Sequence, residues 1–193
     1  MTNLEEGVLK IIEDEARRLL PRFGTHGFEH TERVYRLSRH IGKEEGADAS
    51  ILFPAALLHD IERGRGNHAI ESAERARILL ASMNYEQNKI EAVANAISSH
   101  SFSEGKYPAS LEAKILSDAD KLDAMGASGC YRAAMYCAEQ GRSVEDFLRH
   151  FQEKLLKLRD TMFTEEAKRL AMKRYRFMLG FLDQMNSEFE LDA

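Results

Sequence analysis

The sequence predicts an all-α protein. Apolar residues recur at three- and four-residue spacing almost from end to end, no convincing two-residue alternation is found, and capping residues divide the periodic stretches. Leu4, Val8, Ile11, Ile12, Ala16 and Leu19 form a stripe that Pro21 ends, which gives the first helix. A second is expected from about Phe28 to Glu45, with Gly46 as its C-terminal stop. Asp48 precedes a third in ASILFPAALLHD. Pro54 removes a backbone hydrogen bond there, so a bend or a late start is expected. IERGRGN reads as a loop, and Asn67 as the N-cap of a helix from His68 to about Met83. Asn84 is expected to begin the next, which carries Ile90, Val93 and Ile97 on one face. SFSEGKYPAS is the longest irregular stretch, followed by a helix from Leu111 to about Ala124. Gly126 and Gly129 loosen the junction to a helix that Gly141 terminates. Ser143 with Asp146 caps a helix through about Arg159, and Thr164 caps a last one to about Asn186. With no internal repeat, low-complexity tract or linker, the chain reads as a single-domain helical bundle over residues 1–193. Its motif-bearing core lies at about 24–129 and its C-terminal helical extension at about 130–186.

A chain of 193 residues is long enough to bury a sizeable core, and 44% hydrophobic with 31% charged residues is ordinary for a globular protein. The formal net charge of −5, without any Lys/Arg run, argues against extended nucleic-acid binding. A small phosphorylated substrate is compatible, since its site needs only a few local cations. Cys130 and Cys137 fall two helical turns apart, about 10 Å along the axis, too far for a disulfide. They read as reduced packing residues, which suits the cytoplasm. No apolar run approaches the roughly 20 residues of a membrane span. The N-terminal segment lacks the basic start and apolar stretch of a secretory signal. The expectation is a cytoplasmic monomer or homodimer.

The chemistry concentrates on scattered His and Asp residues. His59 and Asp60 stand at the end of the apolar AALLHDIER helix, and a buried Asp beside a His is costly unless a cation compensates the charge. His30, in HGFEHTERV, lies 29 residues before His59 and shares a helical face with Val34, Leu37 and Ile41. Taken alone it would be a core histidine satisfied by a carbonyl. Asp120 lies in ILSDADKLDAMG, 60 residues after Asp60. A helix with Ile115, Ala119 and Leu122 inward places Leu116, Asp120 and Asp123 along one flank, and Asp118 on a more solvated side with Lys114 and Lys121. Imidazole with carboxylate suits Mn²⁺, Fe²⁺, Co²⁺, Ni²⁺ or Zn²⁺ better than an all-oxygen Mg²⁺ site. Arg63 and Arg65 in the RGRGN loop, Lys121 beside Asp120, and Arg33 one turn beyond His30 are the candidate phosphate contacts, each with a solvated surface cation as its plainer alternative. Lys106 and Tyr107 could cover a site or recognise a base, and His40 and His150 read as surface residues.

Taken together, HGFEHTERV, AALLHDIER and ILSDADKLDAMG resemble the H…HD…D signature of the HD-domain phosphohydrolases, over about Gly24 to Gly129, with the small stand-alone YedJ-like branch as the best likeness. The resemblance implies a divalent metal on His30, His59, Asp60 and Asp120, with Asp123 behind Asp120 and the choice between Asp118 and Asp120 open. His26 matches a loop or supporting position. His68 and His100 fall where a fuller pattern has ligands of a second metal or substrate contacts. Asp60 and Glu62 are the candidate catalytic carboxylates, Glu62 as a water-positioning group or general base. The function implied is cleavage of a small phosphate ester or anhydride, a nucleotide by preference, by metal-activated water, with one ion or two. A di-iron oxygenase and a non-catalytic metal- or ligand-binding module are the competing readings. In the phosphohydrolase reading Arg63 and Arg65 serve substrate affinity and leave metal content unchanged.

Overall fold

Residues 3–63, 67–101 and 107–190 are described by the structure, a computed structural model of the chain. Among them run nine α-helices: α1 (Asn3–Leu19), α2 (Phe28–Glu45), α3 (Ala49–Leu58), α4 (His68–Ser82), α5 (Gln87–Ser98), α6 (Leu111–Asp123), α7 (Gly126–Glu139), α8 (Val144–Glu153) and α9 (Glu165–Glu190). A 3₁₀ segment, Leu155–Thr161, follows α8. The all-α expectation holds. None of these helices is long and apolar enough to cross a membrane. The chain falls into two compact units, Met1–Asp120 and Lys121–Ala193.

The first unit is built around α3. Leu52, Ala55, Ala56, Leu57 and Leu58 are all at most 1% exposed, because α3 packs against α1, α2 and α5, while α4 packs on α5. A helix that is apolar all round is stable only when surrounded in this way. Asp48 caps it by accepting from the Ser50 N–H at 2.8 Å. Pro54 neither delays the helix nor ends it. The carbonyl that its absent N–H would have bonded is that of Ser50, and the Tyr85 hydroxyl donates to that carbonyl at 2.6 Å. Tyr85→Phe should therefore cost about 1 kcal/mol, the net worth of one such bond, measured by urea denaturation. An unchanged midpoint and slope would show the carbonyl satisfied by other means.

Two boundaries differ from the sequence expectation. Asn84 does not begin a helix. It has φ 55, and its N–H bonds to the Ala81 carbonyl while that of Tyr85 bonds to Leu80, which closes α4 in a Schellman turn. Asn is both a favoured N-cap and the side chain that best tolerates the left-handed region, so local sequence alone is ambiguous. In α1, Ile11 is 52% exposed, and the buried stripe is Ile12 and Ala16, continued by Leu20 just past the helix end. By contrast, α2 ends at Gly46 as expected, with φ 74 and its N–H on the Gly42 carbonyl.

In the second unit, α7 begins at Gly126 itself, with φ 71. Gly129 tightens the entry rather than loosening it, since a Cβ there would lie 2.4 Å from the Ala124 carbonyl oxygen. Ser143 and Asp146 form the expected reciprocal cap of α8. That helix stops at Lys154, with φ −127 and ψ −61, and the chain continues as the 3₁₀ segment rather than as α-helix to Arg159. Phe147, Phe151 and Phe181 pack ring to ring, at 4.9 Å between the first pair and 5.9 Å between the second. Cys130 and Cys137 are buried free thiols, and burial pushes that of Cys130 up to about 11.

Candidate metal centre

Helix ends position the site. The start of α2 places His30 fully buried, with the Phe28 N–H on the Pro21 carbonyl at 2.7 Å holding the chain entry. His59 caps the C-terminus of α3 and Asp60 lies in the turn that follows, where both reach one cluster. His100 lies two residues past the end of α5, and Asp120 projects from α6. His59 Nδ1 donates to the Ala56 carbonyl at 2.9 Å, and His100 Nδ1 to the Ile97 carbonyl at 2.6 Å. Each bond assigns the ring proton to Nδ1 and leaves the Nε2 lone pair for a ligand, which is the usual arrangement behind a metal-bound histidine.

His59 Nε2 lies 3.2 Å from His30 Nε2. Two ligand nitrogens at right angles on an ion at about 2.1 Å would be about 3.0 Å apart, so the pair fits adjacent coordination positions. Asp120 Oδ1 is 3.4 Å from His30 Nε2. Asp60, 1% exposed, presents its two oxygens to different partners. Oδ2 lies 3.4 Å from His26 Nδ1, 3.7 Å from His30 Nε2 and 3.9 Å from His59 Nε2. Oδ1 lies 3.6 Å from His68 Nε2 and 3.7 Å from His100 Nε2. Three sets of donor atoms come within 4.8 Å of one another: His26, His30 and Asp60; His30, His59 and Asp120; and His59, Asp60 and His100. This is a His/Asp cluster able to hold a divalent metal.

The protonation states suit that use. Burial pushes His59 down to about 4, against the pull of Asp60, so the ring is neutral at pH 7. Burial alone would raise Asp60, but the surrounding imidazoles outweigh it and hold the carboxyl well below its usual range. Asp120 is lowered too, burial being overcome by His30, His100 and His59. His100 is raised: burial opposes its proton, and Asp60 more than compensates. The two carboxylates are thus anionic and the His59 ring keeps its lone pair, so these donors bind a cation without first losing a proton.

The structure brings His30, His59, Asp60 and Asp120 together, with His68 and His100 on the far oxygen of Asp60. His26 is a fuller participant than its loop position suggested. The available signal was its four-residue spacing from His30, and the two rings meet edge to face at 5.7 Å. Arg63 Nη1 lies 3.2 Å from Asp60 Oδ1 and 2.8 Å from His68 Nε2.

Asp118 is fully buried, not on a solvated side, because α6 is covered on that face as well; Asp120 is the acid beside His30. Asp123, in the second unit, is paired with Arg132 Nη1 at 2.9 Å. Lys121 is also buried, donating to the Thr161 carbonyl at 2.8 Å with its ammonium 4.2 Å from the Phe163 ring centre, a use of its charge the sequence did not suggest. Glu62 has a carboxylate oxygen 4.0 Å from Arg75 Nε. Arg33 is half-buried on α2, Tyr107 and His40 are exposed, and His150 is half-buried near Tyr136. Arg65 and Lys106 lie outside the described residues.

Comparison with known proteins places this cluster in a family. The profile of the HD domain matches residues 27–125, just over half of the chain, and spans His30, His59, Asp60, His68, His100 and Asp120. The uncharacterized Bacillus subtilis protein YpgQ is 34% identical over 172 residues, 84% of each chain. Its crystal structure in complex with ADP superposes with a TM-score of 0.84 at 31% identity, over 95% of this chain and 96% of that one. An HD-superfamily hydrolase from Bacillus thuringiensis does so with a TM-score of 0.80 at 28% identity, over 96% and 98%. With its His/Asp cluster inside the matched span and YpgQ-like kinship along most of its length, the chain belongs to the HD-domain family, in its small stand-alone branch.

Proposed function

We propose that this chain is a metal-dependent phosphohydrolase that cleaves a small phosphate ester or anhydride, with a nucleotide as its preferred substrate. One observation carries the reading: Asp60, buried and ionised, faces imidazole nitrogens from both of its oxygens. The Bacillus thuringiensis neighbour, a hydrolase by name, supports the reaction class, and ADP bound to YpgQ supports the substrate class.

In this reading His30, His59, Asp60 and Asp120 would hold one ion of Mn²⁺, Fe²⁺, Co²⁺, Ni²⁺ or Zn²⁺, and His68 and His100 together with Asp60 would hold a second. Such a cation acidifies a bound water and offsets charge on a phosphoryl oxygen. The Ala56 and Ile97 carbonyls fix the rings of His59 and His100 so that their lone pairs need no reorientation. Arg33 and Arg65 contact phosphate, and Glu62 positions water.

Metal analysis of anaerobically purified protein, followed by a phosphate-release screen of nucleotides and other phosphate esters with Mn²⁺, tests the proposal. Turnover of a nucleotide is the expected result. Two irons with redox-dependent spectra and no phosphate release would establish the oxygenase reading instead, and a retained metal whose positions are all filled by protein would mark a binding module. His68→Ala and His100→Ala should each lower the metal-to-protein ratio as well as the rate. An unchanged ratio with altered kinetics would make these histidines substrate contacts, and no change in either would make them packing residues.

A further inference from the structure

Arg63 does something the sequence did not suggest. Its backbone N–H bonds to the Asp60 carbonyl at 3.0 Å, a turn that returns its side chain to the residue three places earlier. There Nη1 lies 3.2 Å from Asp60 Oδ1, 3.3 Å from Oδ2 and 2.8 Å from His68 Nε2, while Nη2 lies 3.3 Å from His26 Nε2. A guanidinium has no lone pair to offer, so in these contacts it can only donate, and both imidazoles accept through Nε2. The nitrogen of a neutral imidazole has a single lone pair in the ring plane. His68 Nε2 can direct it at Arg63 or at a metal ion, not at both.

We infer that Arg63 is an internal cation that competes with a divalent metal for Asp60 Oδ1 and His68 Nε2, so that loading this position releases the guanidinium. The inference rests on the metal-centre reading of the cluster. Charge and geometry both require the exchange. A metal within ordinary bonding distance of these donors would stand beside a permanent positive charge whose N–H groups are aimed at the same atoms. Arginine cannot relieve this by losing a proton at any ordinary pH, so it has to move. It has a route, since its side chain is 35% exposed whereas that of Asp60 is 1% exposed. Once displaced, its planar fork becomes available to a phosphate oxygen pair at the rim of the centre. The residue thus stabilises the lone-pair cluster before the second metal enters and is set free for an anionic substrate by that entry.

The competition sets the direction of the test. Wild type, Arg63→Ala, Arg63→Met and Asp60→Asn are titrated with Mn²⁺ by calorimetry as full-length protein, with far-UV circular dichroism as the folding control. Removing the competitor should tighten the weaker Mn²⁺ event about tenfold in both Arg63 variants, the size expected for one charge-assisted contact. Equal or weaker binding in the folded variants would overturn the inference. A measurement on wild type keeps it exposed to disproof should both variants fail to fold: phenylglyoxal labelling of Arg63, read by peptide mass spectrometry, should speed up on saturation with Mn²⁺. A labelling rate indifferent to Mn²⁺ would equally overturn it. Asp60→Asn separates the two levels of argument. If it loses Mn²⁺ while Arg63 variants match wild type, only the competition fails; if it binds Mn²⁺ like wild type, the metal-centre reading fails.

Discussion

Asp60→Ala abolishes turnover and metal retention together while most of the helical content survives. This is the largest functional effect expected of any single substitution. The carboxylate is the only group in the cluster with short approaches to His26, His30, His59, His68 and His100 alike among the described residues. Losing a mere supporting partner of a ligand typically costs 10–100-fold in metal affinity or activity, so loss of this shared anion should exceed about 100-fold in both. The apolar packing of α3 is separate from the ligand atoms: Leu52, Ala55 and Leu58 are fully buried and do not depend on Asp60. Plasma mass spectrometry for metal, phosphate release for turnover and far-UV circular dichroism for helix content check the three parts. A variant that keeps full activity with its metal would remove Asp60 from the ligand set.

Arg132→Ala should destabilise the protein by about 3–5 kcal/mol, the largest stability effect expected. Arg132 Nη1 donates to Asp123 at 2.9 Å, with side chains only 9% and 1% exposed. Truncating the arginine removes that compensation from a buried carboxylate and leaves more of its desolvation cost uncompensated. The double variant Arg132→Met with Asp123→Asn should recover much of the loss, because it removes both charges and keeps similar volumes. Urea unfolding of the three proteins measures this directly. A single-variant loss under about 1 kcal/mol would mean that other neighbours of Asp123 compensate its charge.

The ends of the helices show where sequence is sufficient. Gly46 marked the end of α2 because its φ of 74 is a conformation that side chains avoid, and Ser143 with Asp146 marked the start of α8 because their reciprocal bonds are local. Asn84 misled because the same side chain serves opposite ends of helices. The break at Lys154 carries no glycine or proline and could not be read.

Residue type and spacing determined the all-α class, the helical faces and the identity of the metal-competent side chains, because each of these depends on neighbours within about two turns. Only the tertiary structure decided how those side chains divide. It placed His26 at Asp60, sorted the imidazoles between that residue's two oxygens, turned Arg63 back upon the cluster and joined Asp123 to Arg132. The ligands come from segments spread between His30 and Asp120, so their distances are set by how α2, α3, α5 and α6 are placed in space. No local pattern encodes that placement: an ångström-scale convergence of donor atoms is a property of the packed core, and that core exists only once the first unit has folded around α3.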